Sequence, residues 1–117
     1  MTFKTVLRGV QECPGVVATA ISDTDGISVE TLNDGDTDLE ELLAEYSTFL
    51  REVTMANREL HLGELEQLMV AGERRVVMIT LITNLYFLLT IVDRSGFPGK
   101  ARYASRVAAH RLRHEFI

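Results

Sequence analysis

The stretch Val76-Val-Met-Ile-Thr-Leu-Ile-Thr-Asn-Leu-Tyr-Phe-Leu-Leu-Thr-Ile-Val92 decides how the rest of this chain is read. Its apolar density suggests a membrane span, and three features argue against one. It is shorter than the ~20 residues that a helix needs to cross the hydrocarbon core. Asn84 sits near its middle, where an unpaired amide is costly to bury. Its Val, Ile and Thr content favours strands, because β-branched side chains are restricted at χ1 and pack well on a pleated surface. The segment therefore reads as two strands joined by a tight turn at Thr83-Asn84. Both strands are apolar on both faces, which places them centrally in a sheet covered above and below.

The cover is found on either side of this hairpin. Phe3 to Glu12 sets Phe3, Val6, Leu7 and Val10 on one helical face, and Pro14-Gly15 stops the helix. Val16 to Ser22 reads as a strand, Asp25-Gly26 as a hairpin turn, and Ile27 to Leu32 as a return strand with one wetter face. Thr37 and Glu40 have capping-box spacing, so a helix is expected to start at Thr37 or Asp38. It carries Leu39, Leu42, Leu43, Tyr46, Phe49, Leu50 and Val53 at spacings of three and four and runs to about Glu59. Two apolar sets interleave on it, making a stripe wide enough for two neighbours, its own sheet and a second copy of the chain. Glu64 to Val70 reads as a third strand before the hairpin. From Lys100 a last helix presents Ala101, Ala104, Ala108 and Leu112 as a narrow packing face. The long helix can cover one side of the sheet and the terminal helices the other. The expected fold is α/β (α+β), a three-layer α/β/α sandwich around a five-stranded antiparallel sheet, within one domain spanning residues 1–117.

Composition narrows the function. With 117 residues and 46% hydrophobic content, a packed core is expected. The net charge of −5 argues against nucleic acid and against anionic membranes as main partners. Cys13 is the single cysteine, so no internal disulfide forms. The start of the chain lacks the pattern of a cleaved signal, and a cytoplasmic location is expected.

No residue set reads as a catalytic or metal site. Asp23, Asp25, Asp34, Asp36 and Asp38 lack the Gly and Glu positions of a calcium loop and suit turns and caps instead. Gly99-Lys100 lacks the other positions of a phosphate loop, since Arg94 and Ala101 stand where Gly and Ser or Thr belong. His110 and His114 are four apart but have no third ligand, and His61 is isolated. Cys13 has no partner cysteine or sequence-near histidine. Ser95-Gly96 lacks the flanking glycine of a nucleophile elbow. Arg102, Arg106 and Arg113 alternate with Ala and Val, as on a solvated helix face. A binding module without cofactor or metal is expected, not an enzyme.

In order and length these elements resemble the Roadblock/dynein light chain family, particularly the MglB-like bacterial and archaeal branch that regulates Ras-like GTPases. The resemblance rests on Cys13-Pro-Gly-Val-Val17, Asp25-Gly26, the capped helix from Asp38, the hairpin from Val76, and Gly99-Lys-Ala-Arg-Tyr103. It implies the profilin-like Roadblock fold, homodimerisation along the third strand and the long helix, and docking of a small Ras-like GTPase without chemistry of the module's own. A scaffold or adaptor role in a larger assembly is the alternative. Under this resemblance Leu39, Leu43, Leu50, Leu65, Gln67, Leu68 and Met69 would meet the second copy. Glu41, Glu45, Thr48, Glu52 and Met55 would meet the partner, although an ordinary acidic solvent face accounts for them equally well.

Overall fold

The computed structural model describes residues 2–116. Its elements are α1 (Phe3–Gln11), β1 (Val16–Asp23), β2 (Ser28–Asn33), α2 (Leu39–Glu59), β3 (Gln67–Ala71), β4 (Arg75–Leu81), β5 (Tyr86–Asp93) and α3 (Pro98–Arg113), with a closing 3₁₀ turn at His114–Phe116. The five strands form one antiparallel sheet in the order β2-β1-β5-β4-β3. The apolar hairpin supplies β4 and β5, and both run through the middle of the sheet. Residues 76–80 and 87–92 are buried without interruption. Helices cover both faces, as a strand pair with no polar side requires.

On one face, Leu39, Leu43 and Leu50 of α2 pack on Ala18 and Ala20 of β1, Val77 and Ile79 of β4, and Phe87, Leu89 and Ile91 of β5. On the other, Val6, Leu7 and Val10 of α1 and Ala108, Ala109 and Leu112 of α3 meet Ile21, Ile82 and Leu88. Ala101 closes this layer against Val16, Val76, Met78 and Val92. The small residues let α3 lie close enough for a polar contact to be satisfied inside the core. Ser105 donates to the Ala101 carbonyl at 2.7 Å, and the Thr90 and Ser105 hydroxyls lie 2.9 Å apart. Ser105 is thus part of the packing face, while Ala104 sits half-buried at its margin.

Several local expectations are adjusted. The hairpin turn is wider than Thr83-Asn84. Ile82 and Thr83 both donate backbone N–H to the Tyr86 carbonyl, and the loop takes four residues with Asn84 exposed at its tip. The cap of α2 is Asp38, whose carboxylate accepts from the Glu41 N–H at 3.1 Å. Thr37 instead accepts from Arg75 at 3.2 Å. A carboxylate is favoured there because it meets both the free N–H groups and the positive end of the helix dipole. The third strand starts at Gln67, not Glu64, because Glu64 is engaged with Arg58 at the end of α2. Helix α3 starts at Pro98, since proline at the first turn lacks an N–H that would go unbonded anyway.

Helix α2 ends in a Schellman motif. Leu62 N–H donates to the Asn57 carbonyl and His61 N–H to that of Arg58. His61 occupies the left-handed position, with φ of 59°, where a Cβ costs roughly 1 kcal/mol. Replacing His61 with glycine is expected to stabilise the protein by about 0.5–1 kcal/mol. Thermal unfolding should show the midpoint rising by roughly 2–4 °C; an unchanged or lower midpoint would mean that the imidazole makes a compensating contact.

Candidate functional site

Groups without intramolecular partners are found along the free side of β3 and on the outer side of α2. The first is the free side of β3. Leu81 N–H donates to the Glu66 carbonyl, and Gly72 N–H to that of Arg75. In an antiparallel ladder bonded positions alternate, so the even-numbered residues face β4. Gln67, Met69 and Ala71 therefore direct backbone N–H and C=O groups away from the sheet. A bare edge of this kind is a template for a further strand. Met69 leaves 43% of its surface exposed there.

The second feature is the outer side of α2. Glu41, Glu45, Thr48, Glu52 and Met55 are all exposed. Their spacings of four and three keep them along one side of the helix. Thr48 accepts from Arg51 at 3.4 Å and donates to the Ala44 carbonyl at 3.3 Å, so its hydroxyl is partly engaged within the helix. Met55 is 63% exposed. Phe49, edge-on to Tyr46 at a centroid distance of 6.4 Å, is also exposed beside this line. Leu60 and Leu62, at 67% each, extend the apolar surface past the helix end. The sequence placed Phe49 in a stripe shared between the sheet and a second copy of the chain; the roll of α2 on the sheet decides that it faces outward.

The residues expected at an intermolecular contact divide. Leu39, Leu43 and Leu50 are buried in the protomer's own core and are unavailable to a second chain. Their burial corrects that part of the expectation: the stripe is wide because it covers a five-stranded sheet. Leu65 and Leu68 pack partly against the same core. Gln67 is held by Thr80 at 3.0 Å and by Arg102 at 3.1 Å. Met69 remains as an exposed side chain on the edge.

Arg58 and Glu64 brace the passage from α2 to β3, with Nε–Oε1 of 3.2 Å and Nη2–Oε2 of 3.0 Å. The hydrogen bonds and charge of Arg58 lower the Glu64 pKa from its ordinary value, and Glu64 in turn raises that of Arg58. Because the folded pKa of Glu64 is depressed, the brace is present at neutral pH and is lost as pH falls through the lowered carboxylate value. The pair is solvent-exposed, so its effect is local. Hydrogen exchange at Leu60–Leu65 is expected to rise on acidification and in Glu64→Gln at neutral pH. Equal protection in wild type and variant would show that the brace does not order this segment.

The acidic run in the sequence serves turns and caps. Asp23 accepts from the N–H groups of Asp25 and Ile27, Asp34 accepts from Gln11, and Asp38 caps α2. His110 and His114 lie edge-on at 6.1 Å, on α3 and at its end.

The model of the Roadblock/LC7 domain matches residues 2–93. The chain belongs to the Roadblock/LC7 family. Its solved neighbours agree. A structure described as MglB with tetrameric arrangement has a TM-score of 0.88 at 16% identity, covering 96% of this chain and 85% of that one. MglC from Myxococcus xanthus is 31% identical over 98% of this chain and 99% of its own, with a TM-score of 0.69. Profilin II from Acanthamoeba castellanii, at 17% identity and covering 98% and 96%, has a TM-score of 0.60 and marks the wider profilin-like fold. None of the curated proteins matches the chain. In this Roadblock chain the family match ends before α3, so the surface of α3 lies beyond the matched domain.

Proposed function

We propose that this Roadblock protein is a non-enzymatic homodimer that docks a small Ras-like GTPase and alters its nucleotide cycle. The observation that carries the reading is the uncovered acidic side of α2, Glu41 to Met55, in a fold that also leaves the edge of β3 open. Pairing of two β3 edges would continue the sheet across two protomers and set two α2 helices side by side as one platform. The tetrameric arrangement of an MglB neighbour supports self-association in this fold. The docking residues are Glu41, Glu45, Thr48, Glu52 and Met55, with Phe49 added by the structure. The GTPase's own groups would perform the hydrolysis.

The test mixes the purified protein with a small Ras-like GTPase of the same organism, loaded with GDP or with a non-hydrolysable GTP analogue. Light scattering would read complex size, and phosphate release would read turnover. A complex in one nucleotide state together with a changed hydrolysis rate is expected. Glu45→Arg/Glu52→Arg is expected to weaken that complex about tenfold or more, since like charges facing across an interface are costly. No complex in either state overturns the reading.

A second reading, a scaffold without effect on turnover, has an observation of its own. The β2 edge is also open, and it exposes Ile27 and Val29. Two open edges suit a protein that joins neighbours on several sides. A stable complex with unchanged hydrolysis and exchange rates would select this reading.

A further inference from the structure

The charges of this chain are sorted by layer. Helices α1 and α3, on one side of the sheet, carry Lys4, Arg8, Lys100, Arg102, Arg106, Arg111 and Arg113 and no carboxylate. Helix α2, on the other side, carries Glu40, Glu41, Glu45, Glu52 and Glu59. Its two arginines are both engaged: Arg51 with the Thr24 carbonyl at 2.6 Å and Asp25 at 3.8 Å, and Arg58 with Glu64. An acidic protein of net charge −5 therefore has one distinctly basic layer.

The exposed lines on the two helices also match in form. On α2, Glu41, Glu45 and Glu52 are solvent-exposed, and none of them is in an ion pair among the described residues. Phe49 and Met55 are the apolar residues beside them. On α3, Arg102, Arg106 and His110 are exposed, Arg102 donating to Gln67 at 3.1 Å, with Tyr103 at 72% and Val107 beside them. Arg106 has no hydrogen-bond or ion-pair partner among the described residues. Glu41 to Glu52 spans about 16 Å of helix and Arg102 to His110 about 12 Å. Each line thus sets charges of one sign, Glu41, Glu45 and Glu52 or Arg102 and Arg106, beside two apolar side chains, on helices that cover opposite faces of the sheet.

We propose that a second copy of this chain docks its α2 line, Glu41, Glu45 and Glu52 with Phe49 and Met55, on the α3 line, Arg102, Arg106 and His110 with Tyr103 and Val107. The two surfaces differ, so the contact is heterologous. The growing stack keeps a free α2 line at one end and a free α3 line at the other, so it grows until the components run out or the rotation closes it. This contact is separate from edge pairing through β3. It rests on the layered charge and not on the GTPase reading. Where both hold, stacking and GTPase docking compete for the same side of α2.

The experiment is analytical ultracentrifugation of the full chain at low and high ionic strength, with charge-reversed variants. At about 50 mM salt the weight-average mass is expected to rise at least twofold with concentration, and at about 500 mM it is expected to fall back, because exposed charges are then screened within a few ångströms. Arg102→Glu/Arg106→Glu alone, and Glu45→Arg/Glu52→Arg alone, are each expected to lose the rise. Mixing the two variants is expected to restore it, since each then offers the other a complementary line. A mass independent of salt, or loss in both variants without restoration on mixing, overturns the proposal. Circular dichroism checks that the variants are folded. Arg102→Glu/Arg106→Glu leaves α2 intact, so it retains GTPase binding if that reading is right. Failure of stacking and failure of docking are therefore separable.

Discussion

Met69→Pro is expected to turn a dimer built on β3 into a monomer without unfolding the chain. The N–H of Met69 points away from β4, so the ring removes no bond from the β3–β4 ladder. It removes a donor that a second copy would need, and it adds bulk at the edge. Leu68→Pro, one residue away, removes a bond to β4 and disturbs a side chain packed under α2. It is expected to lower stability by about 3 kcal/mol. The contrast tests the register itself. Light scattering should give half the wild-type mass for Met69→Pro, with unfolding little changed. Unchanged mass would show that the dimer, if formed, does not use this edge. Met69→Lys is a milder form of the same test, since a charge on an open edge obstructs pairing. Leu68→Lys is a less clean test of the edge, because Leu68 is partly buried.

Gly96→Ala is expected to be strongly damaging for so small a substitution. Gly15 and Gly96 lie where the β1 entry crosses the loop between β5 and α3. A Cβ on Gly96 would stand 2.6 Å from both the Gly15 Cα and the Pro14 carbonyl oxygen. Neither is the end of a flexible side chain, so the backbones must separate. Two bonds hold them together, Asp93 N–H to the Gly15 carbonyl at 2.7 Å and Phe97 N–H to that of Pro14 at 3.1 Å. A loss of about 3 kcal/mol is expected, with the thermal midpoint falling by roughly 10 °C. Gly99→Ala, in the first turn of α3 with nothing within 4 Å of its added Cβ, is the control and should be neutral or slightly stabilising. Equal effects from the two would mean that the crossing relaxes freely. The crossing also sets where α3 begins, so Gly96→Ala is expected to disturb the basic line of α3.

Much of the architecture was readable from residue order because it depends on short-range periodicity. The unbroken apolar character of residues 76–92 required a covered strand pair, and the three- and four-residue spacings of α1 and α2 identified the cover. Asp25-Gly26 marked a turn whose positive φ, 87° at Gly26, the structure confirms. Gly26 also has a second role that no local pattern reveals: a Cβ there would meet the Leu43 carbonyl and the Ser47 hydroxyl at 2.9 Å, so it lets the turn approach α2.

The proposed docking surface was only partly readable. Glu41, Glu45, Thr48, Glu52 and Met55 are exposed because polar residues opposite an apolar stripe must be. Which apolar residues of α2 face inward depended on how the helix rolls onto the sheet: Leu39, Leu43 and Leu50 are core, and Phe49 is surface. The basic line of α3 had a signal in the sequence, five cations and no carboxylate over Pro98–Arg113. Its meaning depended on α2 lying across the sheet from it.

The sequence by itself determined the elements, the two-sided burial of the β4–β5 hairpin and hence the three layers, because solvation and side-chain period act over a few residues. The tertiary structure alone decided which sides of β3 and α2 stay open, how Gly15 meets Gly96, and that acidic and basic layers lie on opposite faces. Those facts relate residues far apart in the chain, and only packing brings such residues into a fixed relation.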